Sequence, residues 1–163
     1  VWIDDHQSEG ATVARVQLAL NVSNLDEAVD FYSKLFRTSP AKVRPGYANF
    51  AVDEPPLKLV LIEGGGEAGS INHLGVEVFS TDAVLEATEY LAGVGLTTTV
   101  EEQTACCFAL QDKVWVDGPD GRHWEVYTVL ADAPDAAVCV TGDEGCCTSS
   151  TAGSVADAAT SCC

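Results

Sequence analysis

The chain has 163 residues, 47% of them apolar, and a formal net charge of -17. That is ample apolar material for one domain core, and the excess of carboxylates argues against nucleic acid or an anionic membrane as a partner. No run is long and apolar enough to span a bilayer and the N-terminus shows no basic-then-apolar signal, so the expected location is the cytoplasm, where thiols stay reduced.

Residues 1–12 are polar and unpatterned and are expected to form a flexible extension, which includes His6. Val13 to Val22 alternates, with Val16, Leu18 and Leu20 on one face and Arg15, Gln17, Ala19 and Asn21 on the other, as in a half-buried strand. Asn24 is placed to cap a helix, with Glu27 at the capping-box position. Leu25, Ala28, Val29, Tyr32, Leu35 and Phe36 then recur at helical spacing. After Pro40 come short strands broken at Pro45-Gly46 and Pro55-Pro56, the last being Leu57 to Ile62. Gly64-Gly65-Gly66 to Ser70 has the composition of a flexible linker.

The pattern then restarts. Gln17-Leu18-Ala19-Leu20-Asn21-Val22 matches His73-Leu74-Gly75-Val76-Glu77-Val78 in residue type, and Asp26 and Asp82 each open a helix. The second helix is expected over Asp82 to Ala92, stopped by Gly93 and Gly95. Short strands follow, among them Lys113 to Val116. A turn at Asp117-Gly118-Pro119-Asp120-Gly121 leads to a last strand from His123 to Val129. Strand, helix, three strands therefore occurs twice, an internal repeat that implies an α+β fold of two βαβββ modules, about 13–63 and 71–130, in one domain over 13–130. The stretch 131–163 has no aromatic and no basic residue and is expected to be a disordered acidic tail.

Seven cysteines are present, six of them as adjacent pairs: Cys106-Cys107, Cys146-Cys147 and Cys162-Cys163, with Cys139 alone. Adjacent cysteines cannot close a relaxed disulfide with each other; reduced, they offer two soft thiolates that suit soft metals and trivalent metalloids. Only Cys106-Cys107 falls inside the repeated domain.

Alternation also sorts the polar groups. Gln17 and His73 share the non-core face of the first strand of each module, each followed on that face by a small residue, Ala19 or Gly75. On the last strand His123, Glu125 and Tyr127 lie opposite Trp124 and Val126. A carboxylate between apolar neighbours calls for a partner, and a metal is one. Gln17, His73 and Glu125 would supply an O, N, O donor set with positions left open, as in nonheme iron(II) sites. Aligning Pro56 to Leu59 with His123 to Val126 places Lys58 opposite Glu125 in the repeat, so a fourth symmetric ligand is not expected. His123 remains a substitute ligand, and Glu77, four residues along the strand from His73, is too far to share the ion.

These features resemble the vicinal oxygen chelate superfamily of glyoxalases and extradiol dioxygenases. Val16 to Leu20, Lys42 to Phe50, Pro55 to Leu61, His73 to Val78, Cys106-Cys107-Phe108 and Gln111 to Val116 are similar, more specifically, to bacterial organoarsenical C–As lyases and the related cadmium-induced proteins. The resemblance covers about Ala14 to Ala131. It implies an Fe(II)-dependent dioxygenase that cleaves the carbon–arsenic bond of trivalent methylarsenite and aromatic arsenicals, with dioxygen as co-substrate. It also implies Gln17, His73 and Glu125 as the metal ligands and Cys106 and Cys107 as the thiols that hold arsenic. The chain would act as a monomer or homodimer.

Two thiols on one atom raise a geometric demand. Adjacent side chains of a regular strand point to opposite faces, so Thr104 to Phe108 is expected to be a loop or bulge that can close over the metal. The competing readings are a soft-metal binding protein without catalysis, and a different enzyme of the same fold such as a glyoxalase or a fosfomycin thiol transferase. The paired tail cysteines would be soft-metal ligands, or would hand arsenicals inward.

Overall fold

The structure is a computed structural model and describes residues 13–133. The N-terminal extension, and with it His6, lies outside the described residues, as do Cys139, Cys146, Cys147, Cys162 and Cys163.

Strand β1 (Arg15–Val22) leads into helix α1 (Leu25–Phe36), followed by β2 (Lys42–Arg44), β3 (Tyr47–Val52) and β4 (Leu57–Glu63). The same order returns as β5 (Ile71–Glu77), α2 (Thr81–Gly93), β6 (Thr98–Cys106), β7 (Ala109–Asp117) and β8 (His123–Asp132). The caps act as their residue types dictate. Asn24 accepts a hydrogen bond from the Glu27 amide, and Ser80 accepts one from the Ala83 amide. The last strand runs two residues beyond the boundary expected at 130, because Ala131 and Asp132 pair with Leu110 and Ala109.

The strands form one eight-stranded sheet in the order β2-β3-β4-β1-β5-β8-β7-β6. The modules meet at an antiparallel seam between β1 and β5, and each closes through a parallel pair, β1 with β4 and β5 with β8. The sheet curls until its wings touch. The Lys42 ammonium on β2 donates to the Phe108 carbonyl at 3.1 Å, and the Tyr47 and Phe108 rings stand 5.4 Å apart.

Both helices pack on the convex side. Leu25 joins Ala48, Phe50, Val52, Leu59 and Leu61 in one apolar cluster, and Val84, Ala87 and Leu91 join Val78, Val114 and Val126 in the other. The concave side is different in kind. Gln17, Asn21, Asn49, His73, Glu77, Gln111, Lys113 and Glu125 are all buried there. The fold thus places its oil on the outside of the curl and its polar groups within.

Two expectations fail here. The segment Gly64 to Ser70 is not a loose linker: the Gly69 amide donates to the Asn21 carbonyl at 2.8 Å, the Asn21 amide donates to the Ser70 carbonyl at 3.0 Å, and Gly65 is buried. Its glycines serve close approach, since a Cβ on Gly65 would lie 2.7 Å from Asn21 Oδ1. Lys58 is not the counterpart of Glu125 either. Glu125 pairs with Gly75, and the position matching Gly75 in the first module is Ala19, which pairs with Val60. The symmetric fourth position is therefore an aliphatic side chain. Lys58 instead sits with Arg15 around the Glu77 carboxylate, at 3.3 and 3.4 Å.

Candidate metal centre and cysteine pair

Gln17 on β1, His73 on β5 and Glu125 on β8 converge on the concave side. The Gln17 side-chain nitrogen lies 3.0 Å from His73 Nε2 and 2.5 Å from Glu125 Oε1, and the last two are 3.3 Å apart. All three residues are buried, at 3%, 8% and 3% exposure, and so are shielded from bulk solvent. Gly75 makes this closeness possible. It lies beside Gln17 on one side and Glu125 on the other, and a Cβ there would stand 2.9 Å from Glu125 Cγ and 3.4 Å from the Gln17 amide nitrogen.

The triangle fits a divalent ion by its donor chemistry. Among the described residues no three His, Cys, Asp or Glu side chains are grouped to hold a metal; here two of that set are completed by a glutamine. A half-turn of the Gln17 amide brings its oxygen, in place of its nitrogen, toward His73 Nε2 and Glu125 Oε1. Glu125 is ionised and ready to ligate. Burial alone would raise its carboxyl, but the Lys113 ammonium, 2.9 Å from Oε2, leads the opposing effects that hold it at about 2. Lys113 is itself buried, at 2% exposure, and occupies one carboxylate oxygen while the other faces the triangle. His123 does not join the set: it is exposed and its Nδ1 contacts Asp117 Oδ1 at 2.5 Å. Glu77 belongs to the separate cluster with Arg15 and Lys58.

The cysteine pair sits at the tip of the β6–β7 hairpin. Two departures from regular strand put both sulfurs on the concave side. The first is a one-residue bulge around Gln103 (φ 49°), where the pairing slips from Glu101–Lys113 to Thr104–Gln111. The slip reverses the alternation, so that Cys106 shares a face with Gln111 and Lys113. The Gln103 amide donates to Asp112 Oδ1 at 2.8 Å, which gives the displaced backbone a partner. The second is a two-residue turn with Cys107 at φ 52° and Phe108 at φ 62°. Positive φ at both central positions is the type I′ hairpin turn, which favours Asn and Gly. Two bulky residues held there store strain of order 1–3 kcal/mol each. The expected loop over Thr104 to Phe108 is therefore smaller than anticipated: Thr104 to Cys106 remain paired, and only Cys107 and Phe108 leave the ladder.

The result is that the two sulfurs stand 3.1 Å apart. Two atoms that close can both bind one centre at a thiolate bond length of about 2.3 Å. Cys106 is 1% exposed and Cys107 half-buried. Cys107 and Phe108 pack against Ala19, Tyr47, Val60 and Ile62, and Ala19 is the residue paired with His73. Cys106 is disulfide-bonded, whereas Cys107 remains a thiol.

Two tyrosines that the sequence pattern did not single out as functional line the same interior. Tyr47 and Tyr127 are buried, and their hydroxyls are raised above the ordinary phenol range, first by burial and then by the surrounding negative groups, which include Cys107 and Glu125. The Tyr127 hydroxyl, Asn49 Oδ1 and Gln111 Oε1 are buried with no hydrogen-bond partner among the described residues. Buried polar atoms are seldom left so; three of them facing one polar interior fit a chamber that takes water or a polar ligand.

A curled sheet of paired βαβββ units around three convergent donors is the vicinal oxygen chelate architecture, and residues 14–126 match the Glyoxalase/Bleomycin resistance protein/Dioxygenase superfamily model; the chain belongs to that superfamily. Among relatives, the chain is 57% identical over 143 residues to a trivalent organoarsenical cleaving enzyme of Thermomonospora curvata, covering 87% of this chain and 93% of that one. It is 60% identical over 121 residues to the cadmium-induced protein CadI of Mycobacterium bovis, covering 74% and 80%. Among solved structures, the 2,3-dioxygenase LapB of Pseudomonas sp. KL28 aligns with a TM-score of 0.54 at 18% identity, over 76% of this chain and 43% of that one. The Mn(II)-bound glyoxalase of Novosphingobium aromaticivorans aligns with a TM-score of 0.53 at 18% identity, over 74% and 42%. At such identities these two structures establish the fold.

Proposed function

We propose that this protein is an Fe(II)-dependent C–As lyase that converts trivalent organoarsenicals to inorganic arsenite, with Gln17, His73 and Glu125 as metal ligands and Cys106 and Cys107 as the substrate clamp. The observation that carries the reading is the cysteine turn: two adjacent sulfurs on one side, 3.1 Å apart, at the rim of the interior that holds the three donors. Identity to relatives named for cleaving trivalent organoarsenicals supports the substrate class.

The steps assigned to this chain are binding and orientation. With Cys106 reduced, two thiols displace two hydroxyls from methylarsenite and release two waters, leaving arsenic with two As–S bonds and its carbon. Two sulfurs satisfy a monomethylated arsenic but leave inorganic arsenite one position unbound by protein, which favours product release. Fixing arsenic at the turn holds the C–As bond toward the donor triangle, an orientation effect. Fe(II), when bound, would supply the site at which dioxygen is activated. The overall change balances without an added reductant: methylarsenite and dioxygen contain the atoms and electrons of arsenous acid and formaldehyde. The C–As bond breaks, one oxygen ends on carbon and one on arsenic, and a methyl hydrogen ends on the new arsenic-bound oxygen. Lys113 keeps the Glu125 carboxylate ionised and oriented throughout.

Anaerobic loading with Fe(II) and methylarsenite, followed by air, tests this. Arsenite release matched by oxygen uptake is expected, and both should vanish in Gln17→Ala, His73→Ala, Glu125→Gln and Cys106→Ser. Similarity to the cadmium-induced proteins favours one second reading, sequestration of soft metals without turnover. Tight arsenical binding with no arsenite and no oxygen consumed would select it. Full activity of Cys106→Ser on a glyoxalase or thiol-transferase substrate would point instead to another chemistry of the fold.

A further inference from the structure

The residue before His73 cannot, in a regular strand, share its face. Asn72 does. The β1–β5 register runs Leu18–Leu74 and Ala19–His73 and then jumps to Leu20–Ile71, so Asn72 is the extra residue of a β-bulge. Turned inward and buried, its Oδ1 lies 2.7 Å from His73 Nδ1. Its amide nitrogen donates to Asn21 Oδ1 at 3.0 Å, Asn21 Nδ2 donates to Ser70 Oγ at 2.9 Å, and that hydroxyl donates to the Glu67 carbonyl at 2.6 Å. Each link fixes the direction of the next. Ser70 Oγ gives its proton to a carbonyl and so accepts from Asn21; Asn21 then presents oxygen to Asn72, and Asn72 presents oxygen to His73.

We infer that Asn72, aimed by this bulge, is the positioning residue that holds His73 with its proton on Nδ1 and its Nε2 lone pair directed into the donor triangle. An amide oxygen can only accept, so the bond at Nδ1 requires hydrogen there. On the other side of the ring the Gln17 amide nitrogen, 3.0 Å away, can only donate; it is nearer to Nε2 than Glu125 Oε1, at 3.3 Å, and its second hydrogen goes to that oxygen, so Nε2 is the acceptor. A ligating histidine needs this tautomer, and a partner of this kind typically governs metal affinity about 10- to 100-fold. The glycine run completes the device. A Cβ on Gly65 would come within 2.6 Å of Ile62 Cγ2, 2.7 Å of Asn21 Oδ1 and 3.3 Å of Asn72 Nδ2, and one on Gly66 within 2.8 Å of Asn21 Nδ2. The bend at 64–70 therefore presses on the asparagine pair and keeps it directed at the histidine. Asn72 acts through His73 and is not a catalytic residue. The inference rests on the metal reading above only where affinity is concerned; the tautomer stands by itself.

The test reads both. Long-range proton–nitrogen correlation spectra of the metal-free protein, with His73 assigned through His73→Gln, should show Nδ1–H in wild type and a shift toward Nε2–H in Asn72→Ala. Mn(II) alone, titrated with the free ion followed by electron paramagnetic resonance, should bind Asn72→Ala about 10- to 100-fold more weakly than wild type. Asn72→Asp, which keeps an acceptor at Nδ1, should recover most of that loss. An Nε2–H tautomer in wild type overturns the inference without any variant. So does an Asn72→Ala protein with an unchanged tautomer and an affinity within about twofold of wild type. If wild type binds no Mn(II) yet shows the Nδ1–H tautomer and its loss in Asn72→Ala, the metal reading fails while the positioning role stands.

Discussion

At the residue scale the interior depends on one missing methyl and one buried ion pair. Gly75 has no side chain because Gln17 and Glu125 need its space: a Cβ at this position would approach Glu125 Cγ to 2.9 Å and the Glu125 carbonyl oxygen to 3.0 Å. Gly75→Ala is expected to cost about 1–3 kcal/mol through overpacking. It should also weaken divalent-metal binding by about tenfold or more, because it displaces two of the three donors, and groups that merely support a ligand already set affinity on that scale. Urea unfolding and Mn(II) titration measure the two effects separately. Lys113 and Glu125, at 2.9 Å and almost wholly buried, are stable only together. Lys113→Met should cost about 3–5 kcal/mol by leaving a buried carboxylate uncompensated, and adding Glu125→Gln should recover much of that loss.

Two buried carboxylates give opposite pH signatures. Glu125 is held at about 2, below the ordinary value of 4.5. Its stabilisation is complete above 4.5 and is lost as pH falls toward 2. Glu101 is shifted the other way, by burial that the Lys113 charge only partly offsets; its contribution is greatest in acid and declines as pH rises through its folded value. In unfolding titrations of the metal-free protein from about pH 7 to about pH 2.5, Glu125→Gln should lose less stability than wild type. Glu101→Gln should be more stable than wild type at about pH 7 and converge with it in acid. Identical profiles would remove the account.

At the element scale the hairpin β6–β7 shows why a strand pattern can be read and still mislead. The alternation of β1 and β8 placed Gln17 and Glu125 on the concave face because both strands are regular there. On β6 the count is broken at Gln103, and with the phase reversed Cys106 turns into the curl instead of away from it. Nothing local in Glu101-Glu102-Gln103-Thr104 marks a bulge; the carboxylate that supports it, Asp112, is on the neighbouring strand. The same holds for Asn72, whose inward turn is set by pairing with β1. Helix caps are the contrary case, because the bond is local. Asn24→Ala should lower stability by about 1 kcal/mol, seen as a lower thermal midpoint with methylarsenite binding unchanged.

At the scale of the whole molecule, the C-terminal end of the domain supports the cysteine turn from across the sheet. Asp132 pairs with Ala109, the Ala133 amide donates to the Phe108 carbonyl at 3.1 Å, and Lys42 contacts both Phe108 and Asp132. A chain cut after Ala133 is expected to retain full methylarsenite affinity, whereas one cut after Val129 should bind several-fold more weakly while keeping its Mn(II) affinity. Equal arsenical binding by the two would show that the turn needs no support from β8.

The amino-acid sequence by itself determined the repeat, the regular strands and the face that Gln17, His73 and Glu125 share, because the alternation of a strand and the turn of a helix are local properties carried by side-chain type. It determined the thiol pair as a chemical resource too. Only the tertiary structure decided that both thiols face the same interior as the donors, that Val60 rather than Lys58 occupies the symmetric position, and that Asn72 stands behind His73. Those outcomes depend on register and bulges, which arise from hydrogen bonds between strands far apart in the chain, and a one-residue slip in such a ladder exchanges the two faces of everything beyond it.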